Sequence, residues 1–322
     1  MIMNKLSKIF ITRPLPMSVM DEAKALGGLT ARNLTSPLSE KEMILALKDY
    51  DIVLPTLGDS FSANVFNQVE NPRCKLLANF GVGYNHIDIN AAKAKGISIT
   101  NTPGAVTQAT ADIAMTLMLM TARRAGEGER LVRAGKWKGW HPTQMLGLHV
   151  SGKTAAIIGM GRIGEAIARR CHFGFGMQIV YLNRSEKTVA FPARQIASID
   201  ETVKHADVVF VAVPGGLQTN HLIDEKVFQM MQRHAIFVNI SRGDVVAETA
   251  LISALETGQI GGAGLDVYEF EPEVPKAFLN MENVTLFPHL GTASMEVRTE
   301  MGKMALDNIR QFIAGKSPPN LL

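Results

Sequence analysis

The stretch IIGMGRIG, residues 157–164, constrains this chain more than any other. Its glycines follow the spacing GxGxxG and lie between an apolar strand pattern, AAII, and a helical pattern, EAIARRC. In that context Gly159 permits a tight turn, Gly161 lets backbone approach a pyrophosphate, and Gly164 allows close packing of helix on strand. Arg162 and Ile163 then present amides at the helix N-terminus, where an anion is favoured. A strand, turn and helix so arranged imply a doubly wound α/β sheet that binds a dinucleotide.

Two series of alternating patterns surround that turn. The first runs KIFIT, PMSVMDEAKAL, DIVLP, FSANVFNQV, KLLANF, IDINAAKAKG and ISITN, strand and helix by turns, which predicts a parallel sheet covered by helices. Ser39 and Glu42 have the spacing of a capping box before a further helical pattern. The second series starts at Lys153, and its runs VVFVAV and AIFVNI are continuous rather than alternating, as expected of central strands buried on both faces. Between them an almost uncharged helical stretch, GAVTQATADIAMTLMLMTARR, reads as a buried connector. After His289 the chain turns helical again through SMEVRTEMGKMALDNIRQFIAG, and that helix is expected back on the first domain. The expectation is therefore two Rossmann-like domains with parallel sheets. Residues 1–102 with 291–322 form a discontinuous, flavodoxin-like substrate domain, and 103–290 form the dinucleotide-binding domain.

Bulk composition narrows the partners. The 322 residues, 46% hydrophobic, suffice for two cores, and 33 basic against 30 acidic side chains leave a formal charge of +3 without a dense basic run. Nucleic acid is disfavoured by that pattern, and a small anionic partner fits better. The N-terminus MIMNKLSKIFITRPLP has too short an apolar run for a signal peptide, and no stretch is long enough to span a membrane, so a cytoplasmic location is expected. Cys74 and Cys171 are far apart, without CxxC spacing or a nearby His pair, which predicts reduced structural thiols and no metal site.

The strand QIVYLN ends in Asn183, Arg184 and Ser185, where dinucleotide folds usually place an acid on the adenosine ribose. Here there is none. An acid would repel a 2′-phosphate, whereas Arg184 offers a planar cation and Ser185 a donor, so NADP(H) is expected, with NAD(H) use also open. A polar loop without that role is the alternative.

Three later segments, FVNISRGDVV (237–246), GLDVYEFEP (264–272) and FPHLGTAS (287–294), each run from a strand pattern into polar residues. Strand carboxyl ends line the ligand crevice in open α/β sheets, which predicts that Arg242, Asp266, Glu271 and His289 converge. With NFGVGYNHID (79–88), NTPGAVTQATAD (101–112) and the glycine turn, these segments make six ordered motifs. Together they resemble the D-isomer-specific 2-hydroxyacid dehydrogenase family, and within it the glyoxylate/hydroxypyruvate reductase branch, from about residue 50 onward.

The resemblance implies roles residue by residue. Arg242 would grip the substrate carboxylate and polarise the 2-carbonyl, His289 would be the general acid, and Glu271 would orient that imidazole and stabilise its cationic form. Val82 and Gly83 would hold the carboxylate through backbone amides. Thr107, Val213, Pro214, Ile240, Asp266 and Gly291 would line the cofactor, with Asp266 near the nicotinamide carboxamide. The resemblance also implies a homodimer formed through about residues 107–150, which would give Trp137 and Trp140 an interface role, and Trp140 is a candidate to reach the partner's active site. Gly104 and Gly291 would lie near domain hinges.

Within the enzyme class, a reductase of a larger 2-keto acid, such as 2-ketogluconate or an aryl pyruvate, is the alternative, because the same triad serves all of them. Pocket width near 54–57 and Trp140 would decide it. Phosphoglycerate dehydrogenase fits less well, since the sequence ends at Leu322. From another class, the same fold serves as a dinucleotide-sensing corepressor, which would bind NADP(H) yet reduce keto acids negligibly.

Overall fold

The computed structural model describes residues 7 to 322. The part of the signal-peptide reading that rests on MIMNKL lies outside them. The chain divides into two compact units, Met1–Val106 with Ala293–Leu322, and Thr107–Thr292.

The first unit is built on five parallel strands, β1 (Ile9–Ile11), β2 (Leu29–Ala31), β3 (Ile52–Leu54), β4 (Leu76–Ala78) and β5 (Ser98–Thr100), in the order 2-1-3-4-5. That is the flavodoxin order. The central strands β3 and β4 bury every side chain, whereas β2, an edge strand reading LTA, leaves Thr30 and Ala31 exposed. The helix Glu40–Asp49 opens with the expected capping box, Ser39 Oγ accepting from the Glu42 amide and Glu42 accepting from the Ser39 amide at 2.8 Å. The long helix Met295–Ile313 packs Ala305, Leu306 and Ile309 against Ile9, Ile11, Ile52 and Leu76. A Cβ on its Gly302 would lie 2.6 Å from Val19, so this helix sits too close to the helix Met17–Lys24 for any larger residue.

The second unit carries seven parallel strands, β6 (Thr154–Ile158), β7 (Gln178–Leu182), β8 (Ala193–Gln195), β9 (Val208–Val211), β10 (Ile236–Asn239), β11 (Gly262–Leu265) and β12 (Val284–Leu286). Their order, 12-11-10-9-6-7-8, reverses direction between β6 and β9. Such a switch point is where open α/β sheets bind ligands, at the carboxyl ends of the strands. β9, β10 and β11 are buried throughout, which accounts for their unbroken apolar runs. The uncharged stretch forms the helix Thr107–Ala122, which lies on β10 and β11. Its close approach demands small residues in the strand beneath, since a Cβ on Gly264 would stand 2.8 Å from Leu117. Among the described residues no helix is long and apolar enough to cross a membrane.

Candidate active site

The glycine turn joins β6 to the helix Arg162–Phe175, and each glycine has a distinct physical reason. Gly159 has φ +98°, and a Cβ there would meet the Ala212 carbonyl oxygen at 2.8 Å. Gly164 packs so tightly that a Cβ would stand 2.0 Å from the Gly159 oxygen. Gly161 is different: its φ is −82°, and a Cβ would meet nothing within 4 Å. No internal contact requires glycine at 161, and the open space beside it lies next to the first-turn amides of Arg162 and Ile163, which suits a dinucleotide's phosphates.

The Gly159 amide donates to Leu182 O at 2.9 Å, so the triplet that follows Leu182 lies beside the turn. Its loop is held from within. Asn183 Nδ2 donates to Ser185 O at 2.8 Å, Gln195 Nε2 donates to Asn183 O at 2.9 Å, and Tyr181 Oη accepts the Lys187 amide at 3.1 Å. Arg184 and Ser185 remain exposed.

Arg242, Glu271 and His289 follow β10, β11 and β12, and the fold draws these three loops together. Asn239, the last residue of β10, accepts from the Ser241 amide at 3.0 Å and donates through Nδ2 to Arg242 O at 2.9 Å. Gly243 then lies directly on the next loop, where a Cβ would fall 1.8 Å from the Tyr268 carbonyl carbon. That backbone approach sets the Arg242 segment against the segment carrying Glu271. Burial pulls the Arg242 guanidinium below its ordinary pKa, while the carboxylates of Glu271 and Asp244 oppose the fall.

Glu271 Oε2 meets His289 Nδ1 at 2.9 Å, and its Oε1 accepts the Tyr268 amide at 3.1 Å. Burial raises the Glu271 carboxyl, but the His289 hydrogen bond and charge, the Tyr268 amide and the Arg242 charge outweigh it, so its pKa lies below the ordinary value. Both side chains keep access to solvent, at 28% for His289 and 30% for Glu271. His289 has φ +55°, a left-handed conformation uncommon outside glycine. Asp266, only 1% exposed, holds it there: its carbonyl accepts the His289 amide at 3.0 Å, Oδ1 the Leu290 amide at 2.6 Å, and Oδ2 the Gly291 amide at 2.8 Å. Burial raises the Asp266 carboxyl even against those two donors.

The remaining candidates of the second unit lie near the same strand ends. Val213 and Pro214 follow β9, Ile240 follows β10 and is buried, and Thr107 opens its helix, whose Thr110 Oγ1 donates to Gly291 O at 3.1 Å. Val82 and Gly83 belong to the first unit, in the loop after β4. Among the described residues no cluster of three or more His, Cys, Asp or Glu could hold a metal ion.

Sequence reasoning did not single out Asn239, nor Glu248, a 7% exposed carboxylate that accepts the Glu269 amide at 2.9 Å and is raised by burial. It also missed His221, whose Nε2 meets Glu269 Oε1 at 2.8 Å.

Comparison with known proteins gives the family. Residues 115–291 match the family described as D-isomer specific 2-hydroxyacid dehydrogenase, NAD binding domain. Glyoxylate reductase of Korarchaeum cryptofilum is 41% identical over 319 residues, covering 98% of this chain and 95% of that protein. Glycerate dehydrogenase of Hyphomicrobium methylovorum is 35% identical, covering 96% of each. The crystal structure of an NADPH-dependent glyoxylate/hydroxypyruvate reductase from Sinorhizobium meliloti, in complex with NADP and malonate, has a TM-score of 0.88 at 29% identity, covering 99% of this chain and 97% of that one. This chain belongs to the D-isomer-specific 2-hydroxyacid dehydrogenase family, in its glyoxylate/hydroxypyruvate reductase branch, and is an enzyme that uses a nicotinamide dinucleotide.

Proposed function

We propose that this enzyme reduces small 2-keto acids, glyoxylate to glycolate and hydroxypyruvate to D-glycerate, with NADPH preferred over NADH. The observation that carries the cofactor preference is the strand-end triplet Asn183, Arg184 and Ser185, which places no carboxylate directly after β7, is braced from within and presents an exposed cation beside the glycine turn. The Sinorhizobium meliloti enzyme, NADPH-dependent by its description, supports the same reading. The second unit is taken as the dinucleotide domain, and the first as the substrate domain.

The reaction follows from the strand-end constellation. A bound nicotinamide dinucleotide supplies hydride to the 2-carbon. Arg242, cationic and half-buried, forks onto the substrate carboxylate and polarises the carbonyl oxygen. His289 engages Glu271 through Nδ1, which leaves Nε2 to donate its proton to the oxygen as charge develops. Glu271, held ionised by its surroundings, orients the ring and balances the imidazolium. Val82 and Gly83 are assigned to the substrate carboxylate.

The working form is proposed to be a cytoplasmic homodimer. The helix Ala125–Arg133 buries none of its residues, and Trp137, Trp140 and Leu146 stand 53%, 79% and 68% exposed, surface that a second copy would cover. Sedimentation should give twice the 35.0 kDa chain mass.

The function is tested by initial rates with NADPH and NADH against glyoxylate, hydroxypyruvate, pyruvate and 2-ketogluconate, repeated in Arg184→Ala. An exposed phosphate contact is worth about 1.5 kcal/mol, so loss of roughly 10-fold in NADPH preference is expected. Equal rates with both cofactors and an unchanged variant would remove the cofactor assignment. Faster turnover of 2-ketogluconate than of glyoxylate would replace the substrate.

A further inference from the structure

We propose that Asn79 is a positioning residue that turns the backbone amides of residues 82 and 83 outward to receive the substrate carboxylate. This rests on the reading of Val82 and Gly83 as carboxylate holders. A loop can bind an anion only if its carbonyl oxygens face away from it, and in the loop after β4 something must hold three successive carbonyls inward.

The donors that do so are all in the first unit. Gly81 O accepts Asn79 Nδ2 at 3.1 Å and the Thr102 amide at 3.0 Å. Val82 O accepts Asn101 Nδ2 at 3.0 Å. Gly83 O accepts the same Asn79 Nδ2 at 3.0 Å. Both hydrogens of one buried amide group thus tie down the carbonyls on either side of Val82. Because a trans peptide points its N–H opposite its C=O, the amides of Val82, Gly83 and Tyr84 turn to the other side. Among the described residues neither the Val82 nor the Gly83 amide donates to a backbone acceptor. Successive outward amides of this kind form an anion-binding concavity.

Asn79 suits this task better than any residue of its size. It is fully buried directly after β4, its own amide donates to Thr100 O at 2.9 Å, and its Oδ1 faces His86 Nε2 at 3.0 Å. The two carbonyls fix which end of the side-chain amide carries nitrogen, so His86 Nε2 is the donor to Oδ1. Gly81 contributes conformational freedom: its φ of +152° lets the chain fold back over Asn79, whose Nδ2 would lie 3.6 Å from a Cβ placed there. An aspartate at position 79 would keep the shape, lose both donors and set a carboxylate against two carbonyl oxygens.

The experiment compares Asn79→Asp, Gly83→Pro and the native enzyme, each saturated with NADPH. It measures kcat and KM for glyoxylate, the inhibition constant of oxalate as an unreactive carboxylate probe, and the dissociation constant of NADPH. For Asn79→Asp the expected result is KM and oxalate inhibition constant both weakened about 10-fold or more, with kcat and NADPH affinity within roughly 3-fold, the pattern of lost uniform binding. A general disturbance of folding would not separate KM from kcat in this way. Native oxalate binding in Asn79→Asp, with weakened binding in Gly83→Pro, overturns the role of Asn79 and leaves the loop assignment standing. Native oxalate binding in Gly83→Pro overturns the loop assignment, and the proposal falls with it. If Asn79→Asp does not fold, Asn79→Ser, which loses both ties without adding a charge, carries the same expectation and the same refutation.

Discussion

Gly161 lies in the glycine turn and Gly243 directly after Arg242, and the structure predicts opposite consequences for a single added methyl group at each. In Gly243→Ala the new Cβ would begin 1.8 Å from the Tyr268 carbonyl carbon, 2.0 Å from its oxygen and 2.2 Å from the Glu269 nitrogen. Ordinary contact needs about 3.5 Å, so the Arg242 and Glu271 segments must part by more than about 1 Å. Overpacking against backbone, which cannot rotate aside as a side chain can, places the cost near the upper end of the usual range, about 3 kcal/mol. For a unit of this size that lowers the melting temperature by roughly 6–12 °C. Displacement of Arg242 from Glu271 by about 1 Å should also lower kcat/KM for glyoxylate on the order of 100-fold. In Gly161→Ala the Cβ enters empty space and φ is already ordinary, so the melting temperature should stay within about 2 °C. What changes is the room left for a pyrophosphate, and NADPH affinity should fall about 10-fold, or 1.4 kcal/mol. Differential scanning fluorimetry, NADPH titration and glyoxylate kinetics on the two variants complete the test. A fully active, fully stable Gly243→Ala enzyme would refute the account of how the Arg242 and Glu271 loops are held together. A Gly161→Ala enzyme with native NADPH affinity would refute the placement of the phosphates.

Other expectations follow from individual side chains. Asp266→Asn leaves one of the Leu290 and Gly291 amides facing an NH2 group, so stability should fall by about 1–3 kcal/mol and kcat should drop as the His289 loop loosens; an unchanged kcat would show that Asp266 does not position it. Cys74 and Cys171 are buried, with thiols pushed up to about 12 by burial, so a thiol reagent at pH 8 should label neither until the protein unfolds. In acid, Asp51, Asp207 and Glu271 matter most, because their folded pKa values lie below the ordinary ones, so their stabilisation is present at neutral pH and lost as pH falls through the folded values. Asp266 and Glu248, raised by burial, act in the opposite sense as they take up protons. Melting temperature should therefore fall below about pH 4.5, less steeply in Asp51→Asn, and identical slopes in the two proteins would contradict this.

The fold class was legible because its signals are periodic. Unbroken runs of β-branched and aromatic residues such as VVFV and IFV fit central strands buried on both faces, and the spacing around Gly159 needs a strand before it and a helix after it. The strands LTA and ARQ were missed, since three-residue edge strands with exposed positions carry neither alternation nor an apolar run. At the site, the charged residues could be named because each ends a strand pattern with a chemically distinctive side chain. The asparagines that shape the loops were not named. Asn79 comes directly after β4 and Asn239 is the last residue of β10, and each folds its side chain over the loop that follows. A buried amide at the end of an apolar run was a usable signal in both units. Glu248 and Glu269 gave no such signal, because their partnership depends on the close approach that Gly243 permits.

The central claim is that His289, oriented by Glu271, delivers the proton to the keto oxygen. The most direct measurement is single-turnover reduction of glyoxylate by the NADPH-loaded His289→Gln enzyme, with NADPH affinity determined on the same sample. Loss of a positioned general acid predicts a rate lower by about 10²–10⁴-fold with NADPH binding within about 2-fold of native. A rate within about 3-fold of native, with the cofactor bound normally, would contradict it.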